Sequence, residues 1–288
     1  VAGSREALVA RPFMLLFAQP STPLQHSRDA LSNLLLCAER KAPLLYVSAG
    51  MLGGTGPVTM AGSLVLVLSE TLSGLVIHQL KNPGAPFVSG GATPQMDMRT
   101  FLCSYGAPEL QLSCAAMVEM TRFYNLPVFT TAGCSDSHLF DQQAGMEAGY
   151  SILTQALAGG NLIHDLGYIG AGMTSSLEML ALCNEMAGIA RHMVKGIEVT
   201  PETIAMEVIR TVGPGGNFLS EEHTGKNYKK NLCFTELFNR LDYTQWSDQG
   251  GKDFYARANG SVRQLLRSHE VPELPGEALK KMNIIVNR

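Results

Sequence analysis

The chain has 288 residues, 45% of them hydrophobic and 16% charged, with a formal net charge of −3 at pH 7. Such a chain buries a sizeable core, and its weakly acidic balance excludes a general attraction for nucleic acid or an anionic membrane surface. Apolar windows such as 61–80 are interrupted by Ser, Glu, Thr and His, so none reads as a membrane span, and no signal peptide is visible.

Taken in chain order, short β-rich runs fall at about 13–18, 44–48, 86–89, 127–131 and 161–165, each followed by a loop and a helical pattern. The helices are predicted near 25–41, 58–81, 107–124, 139–158 and 175–195. Near-continuous apolar strands separated by helices imply a parallel sheet, and five βα units result. Several strand-to-helix loops are longer than such connections need, which points to a functional face at the strands' carboxyl ends. Beyond about residue 196 the pattern changes to a helix at 201–212, a Gly-Pro-Gly-Gly turn at 213–216 and more polar helical segments. These give two regions, a βα domain over 1–235 and a C-terminal helical extension of the same domain over 236–288. Five units do not close an eight-stranded barrel, so the pattern leaves an open doubly wound sheet and part of a barrel as alternatives.

Six cysteines, at 37, 103, 114, 134, 183 and 233, show no CxxC pair or regular spacing. Several sit in apolar helical patterns, which predicts reduced, mostly buried thiols, a cytoplasmic location and no disulfide framework.

The segment 160–168 holds the sharpest local signal. Gly159 and Gly160 stop a helix, Asn161 to Ile163 reads as a buried strand, and His164 and Asp165 follow at its carboxyl end. That is where α/β folds present functional side chains. The bland alternative is a hydrogen-bonded core histidine followed by a helix-start cap.

Five runs resemble the trimethylamine methyltransferase family: GMLGGTGPVTMAG (50–62), PGAPFVSGGATPQMDMRT (83–100), GCSDSHLFDQQAGMEAGYS (133–151), GGNLIHDLGYIGAGMTSSLEML (159–180) and KGIEVTPETIAMEVIRTVGPGGNFLSEEHT (195–224). They occur in the same order, which makes the resemblance far more specific than any one Gly-rich loop. The family's members move a methyl group from a methylated amine to the cobalt of a corrinoid protein. They are similar to TIM barrels and carry considerably more chain before the point that resembles residue 1 here. The resemblance therefore implies a TIM (β/α)8 barrel, incomplete at its N-terminus in this sequence, with the helical extension behind it. It also implies a cognate corrinoid protein as partner, the corrinoid being carried by that partner. A cytoplasmic homo-oligomer with no nucleic-acid or membrane partner is expected.

The trimethylamine-specific members use pyrrolysine in the active site, whereas this sequence contains only the twenty standard residues. The lysines, at 41, 81, 195, 226, 229, 230, 252, 280 and 281, lie outside the predicted strand-end loops. The chain thus looks like the non-pyrrolysine branch, similar to glycine betaine:corrinoid methyltransferases. Chemistry makes that departure intelligible. A quaternary ammonium expels a neutral tertiary amine on demethylation and needs no proton donor, so desolvation and orientation outweigh acid–base catalysis. Aromatic faces hold such cations at roughly 0.5–2 kcal/mol each, supplemented by carboxylates.

Candidate residues follow from this expectation. His164 and Asp165 are placed at the reacting centre, His164 to hydrogen-bond a substrate carboxylate or position the leaving amine. Asp97 and Arg99 either supply a carboxylate and a guanidinium to the substrate or form a loop-bracing ion pair. Ser135 and Asp136 either bind substrate or cap the next helix. Tyr105, Phe140 and Tyr168 are cage candidates or packing residues. Gly53, Gly54 and Gly56 let the backbone turn sharply or approach a corrin, and lack the Gly-Lys-Ser/Thr of a nucleotide loop. Cys134, His138, His164 and Cys183 match no zinc signature, and a quaternary ammonium has no lone pair for zinc, so no metal is expected. Alternatives are a trimethylamine or other methylamine methyltransferase, a zinc-assisted methyltransferase and a non-catalytic betaine-binding protein.

Overall fold

The computed structural model describes residues 3–287. In chain order the elements are α1 (Arg5–Ala10), β1 (Leu16–Ala18), α2 (Arg28–Arg40), β2 (Leu44–Ala49), α3 (Met60–Lys81), β3 (Phe87–Ala92), β4 (Gln95–Met96), β5 (Cys103–Ser104) and α4 (Pro108–Phe123). They continue with β6 (Val128–Thr131), α5 (Gln142–Ala158), β7 (Leu162–His164), β8 (Tyr168–Ile169), β9 (Thr174–Ser175) and α6 (Leu177–Val194). The remainder is helical: α7 (Pro201–Ile204), α8 (Met206–Val212), α9 (Glu222–Asn231), α10 (Tyr243–Asp248), α11 (Phe254–Ser268) and α12 (Gly276–Val286).

Side-chain caps fix the helix starts. Ser27, Asp141 and Ser176 each accept the amide three residues on, so α2, α5 and α6 begin within three residues of the expected positions. The single helix expected at 201–212 is instead two, because Ala205 adopts a left-handed conformation at φ +54°. The expected strand at 13–18 is ordered only over β1, which pairs with β2 alone at the sheet margin.

One parallel sheet runs in the order β1-β2-β3-β6-β7, which is also chain order. A doubly wound sheet reverses its order at a switch point; this sheet has none. Accordingly α2, α3, α4, α5 and α6 pack each against the next in one layer. Sheet and helices form a curled half-barrel compatible with part of a TIM barrel, and the doubly wound alternative falls.

The two faces of the sheet differ. Towards the helices Leu44, Tyr46 and Phe87 pack with Leu34 and Cys37 of α2. On the concave face Leu45, Val47, Val88 and Phe129 pack together, and register carries that face on to Phe17, Leu162 and His164. Here the expectation of a buried strand at 161–163 is corrected. Leu162 and His164 are exposed and only Ile163 is half-buried, because β7 is a sheet margin whose concave face nothing covers among the described residues.

Loops at the strands' amino ends are short, at 41–43, 82–86, 124–127 and 159–161, whereas those at the carboxyl ends are long, at 19–27, 50–59, 93–107, 132–141 and 165–176. Helix α3 is long and apolar enough by composition to cross a bilayer. In this fold it lies against β2 and β3 and buries Ser63, Glu70, Thr71 and His78. Residues after 235 reach the βα layer through α6. Glu185 accepts the amides of Glu236 and Leu237 at 2.5 and 3.1 Å, and Glu178 accepts the Asn259 side chain at 2.7 Å. Four cysteines, 37, 114, 134 and 183, are buried, Cys103 is half-buried and Cys233 exposed, all as free thiols.

Candidate functional site

At the end of β7, His164 Nδ1 contacts the Asp165 carboxylate. Asp165 takes a left-handed conformation at φ +72°, and β7 ends at the residue before it. The imidazole is more than half exposed on the concave face, where its ring lies 5.3 Å from that of Phe129. With Nδ1 engaged by a carboxylate, Nε2 is the nitrogen left for a ligand. The helix-start alternative for Asp165 is excluded, since Ser176 caps α6.

Tyr105 stands on the loop after β3, two strands from β7 in the sheet. Burial pushes its phenol up to about 12, and the charge of Asp165 adds to the shift, so ring and carboxylate share one electrostatic environment. Three thiols surround it electrostatically: Cys103, Cys114 and Cys134. Burial raises Cys134 to about 12 and Cys114 to about 11, which keeps both protonated and unreactive at neutral pH.

Ser135 and Asp136 neither cap α5, whose cap is Asp141, nor stand free. The Ser135 hydroxyl donates to Glu147 of α5 at 2.5 Å, and the Asp136 amide donates to the same oxygen at 2.9 Å. The Asp136 carboxylate in turn accepts the Ser104 hydroxyl and, at 2.7 Å, the Tyr105 amide. A chain of hydrogen bonds thus runs from α5 through the 132–141 loop to Tyr105. Tyr168, at the edge of exposure, lies on the β8–β9 ribbon, and its carbonyl accepts the Ser135 amide at 3.0 Å.

Asp97 and Arg99 pair within their own loop, through Arg99 N–H at 2.8 Å, Nε–H at 3.0 Å and an η nitrogen at 2.5 Å. Those bonds hold the Asp97 carboxyl well below the usual carboxylate range. The glycines of the 50–59 loop have internal reasons to be glycine. At Gly53, with φ +79°, an added Cβ would lie 2.1 Å from Met98 Cε, and at Gly56 it would lie 2.6 Å from Ser63 Oγ. At Gly54 an added Cβ would lie 3.3 Å from Met51 Sδ, a tight contact. Phe140 lies apart from the strand ends, its ring 6.1 Å from Phe254 and 6.2 Å from Tyr255 of α11. Cys134, His138, His164 and Cys183 do not converge, and the described residues hold no group of three or more His, Cys, Asp or Glu suited to a metal ion.

Two organising residues were not singled out from sequence. Glu147 is one; the other is Glu70 of α3, buried, which accepts Thr22 Oγ1 at 2.8 Å, the Leu24 amide at 2.5 Å and the Ser48 hydroxyl. Their signal is present in the chain, since each is the only acidic residue of a long helix. Each of the five strand-end loops also presents an exposed apolar side chain: Leu24, Val58, Phe101, Leu139 and Met173.

The profile of the trimethylamine methyltransferase (MTTB) family matches residues 1–288. The chain belongs to this family. It is 35% identical to a trimethylamine methyltransferase of Methanosarcina mazei over 288 residues, covering 99% of this chain and 58% of that protein. It is 35% identical over 286 residues to a trimethylamine methyltransferase of Desulfitobacterium hafniense, with coverage of 99% and 58%. A glycine betaine methyltransferase of Desulfitobacterium hafniense is 32% identical over 285 residues, with coverage of 99% and 59%. The chain therefore spans about three fifths of the length of these curated relatives.

Proposed function

We propose that this chain forms the strand-end face of a methyltransferase that passes a methyl group from a quaternary amine of the glycine betaine type to a cobalt(I) corrinoid carried by a partner protein. The observation that carries this reading is the exposed His164 imidazole against the Asp165 carboxylate at the carboxyl end of β7, with Tyr105 held by Asp136 on the loop after β3 of the same strand-end face. Ring plus carboxylate is the chemistry that holds a cation unable to donate strong hydrogen bonds. None of the five strand-end loops contains a lysine, which favours a substrate that leaves as a neutral amine.

The family implies the corrinoid, and the exposed apolar tips Leu24, Val58, Phe101, Leu139 and Met173 offer apolar contacts to a carrier protein on the strand-end face. A corrinoid held there would supply the nucleophilic electron pair for the methyl carbon. The residues of this chain do the rest. Tyr105 and Asp165 hold the ammonium, the Glu147–Asp136 chain keeps Tyr105 in place, and His164 Nε2 orients the other end of the substrate. The C–N bonding pair stays on nitrogen, so no proton is required.

A second reading, trimethylamine as substrate, rests on the two relatives of 35% identity that bear that name. Methylation of cob(I)alamin by the full-length protein, followed by absorbance, separates the two. Glycine betaine or another quaternary amine should be the faster donor; a faster rate with trimethylamine overturns the proposal. The His164→Ala variant should keep its melting temperature and lose at least tenfold in methyl transfer, about 1.4 kcal/mol. A folded variant with full activity removes His164 from the site.

A further inference from the structure

A cavity of about 570 Å³ lies between α5, α6 and α11, where the end of the 132–141 loop meets the C-terminal extension. Its size falls in the range of small-ligand sites. Four aromatic rings line it, from Phe140, Phe238, Phe254 and Tyr255, with neighbouring ring centroids 5.3 to 6.2 Å apart. Asp141 and Asp253 bring carboxylates to the same wall, and no Lys, Arg or His lines it among the described residues. Arg240 and Arg257 sit 5.9 and 5.6 Å from the centroids of Phe238 and Phe254 without lining the cavity, so these rings already attract cations from outside. Phe140 and Tyr255 carry no such partner among the described residues.

Both carboxylates are fixed rather than free to swing. Asp141 accepts the Ala144 amide and the Ser137 hydroxyl, each at 3.0 Å, and Asp253 accepts the Ala256 amide at 2.7 Å. Two carboxylates and four aromatic rings thus line one apolar volume whose wall carries no basic side chain among the described residues. An ion with an apolar body is the complement of such a wall. We propose that this cavity binds an organic ammonium ion with an aryl or alkyl body, at a site that includes none of Tyr105, His164 and Asp165 and is independent of the methyltransferase reading.

The test uses phenyltrimethylammonium and its neutral isostere tert-butylbenzene, titrated into the full-length protein carrying methyl-labelled methionine. Met146 and Met186 line the cavity and report occupancy; their signals are assigned with Met146→Leu and Met186→Leu. The cation should shift both signals and bind at least tenfold more tightly than tert-butylbenzene. Replacing both acids, Asp141→Asn with Asp253→Asn, keeps the helix caps, because Asn caps as well as Asp, and removes the charge. This double variant should weaken binding at least fivefold. Tyr255→Leu, at a residue 52% exposed, keeps apolar contact while removing the ring, and should weaken binding at least threefold with an unchanged melting temperature. Equal binding of the neutral isostere, or full affinity in both variants, overturns the proposal. Shifts confined to Met98 and Met173 in the strand-end loops overturn it too, and leave the methyltransferase reading intact.

Discussion

Glu147 accepts three hydrogen bonds, from the Ser135 hydroxyl, the Asp136 amide and the Gln143 side chain. Ser135 is fully buried, so its hydroxyl has no water to turn to if the carboxylate is removed. An unsatisfied buried donor costs about 1–3 kcal/mol. Glu147→Ala should therefore lose about 2–4 kcal/mol in urea unfolding, and Glu147→Gln, which keeps one acceptor oxygen, about 1 kcal/mol. An alanine variant within 0.5 kcal/mol of the parent would show that the loop holds itself. At this scale the sequence was half legible. His164 and Asp165 could be placed because a strand ends on them, and Asp97 and Arg99 pair at close sequence separation. Nothing local, by contrast, links Asp136 to Ser104 and Tyr105, which lie about thirty residues earlier in the chain. Phe140 looked equivalent to Tyr105 in the sequence, yet it faces α11, because the direction of a loop side chain is set by what it packs against.

Helices were the most legible elements, since their periodicity and caps are local properties. Burial along them was less so. Helix α3 turns Ser63, Glu70, Thr71 and His78 inward and leaves Val65, Val76 and Leu80 exposed, the reverse of an ordinary amphipathic surface helix. One position on it sets two effects against each other. Gly74→Ala gains about 1 kcal/mol of helix propensity, but the new Cβ would lie 2.4 Å from a ring carbon of Tyr46. Tyr46 is fully buried, and its hydroxyl is tied to His26 at 2.5 Å, so the ring cannot withdraw. Overpacking of this kind costs about 1–3 kcal/mol. We expect net destabilisation of about 1–2 kcal/mol for Gly74→Ala, measured by thermal unfolding; a stabilised variant would show that α3 can slide off the sheet. Gly145→Ala in α5 is the control, because its Cβ would meet only Leu182, at 3.9 Å.

Across the whole molecule the concave face is the feature with the largest consequence. Phe17 at 53% and Leu162 at 40% exposure stand on the two outer strands, whose free edges offer unpaired backbone groups. A closed barrel leaves no such edge. Residues 1–288 produced alone should therefore self-associate, and light scattering should show a concentration-dependent rise in mass. A monomer that unfolds cooperatively at all concentrations would mean that the half-barrel is self-sufficient.

The sequence by itself determined the βα alternation, the placement of long loops at the strands' carboxyl ends and the position of His164 at a strand terminus. Each of these depends on periodicity and turn chemistry within a window of some twenty residues. Membership of the methyltransferase family was equally legible, because runs such as GGNLIHDLGYIG keep their order along the chain. The alternation by itself left a doubly wound sheet and a barrel open; the family resemblance implied the barrel, and the strand order of the tertiary structure shows the curled sheet. Strand order is a relation among segments thirty or more residues apart, and either topology can be written with the same alternation of strands and helices. The exposure of β7, the Glu147–Asp136–Tyr105 chain and the aromatic cavity against α11 share that origin. Hydrogen bonds and burial depend on which distant segment arrives opposite a side chain, and a lone carboxylate in a mostly apolar helix announces that it will have partners without naming them.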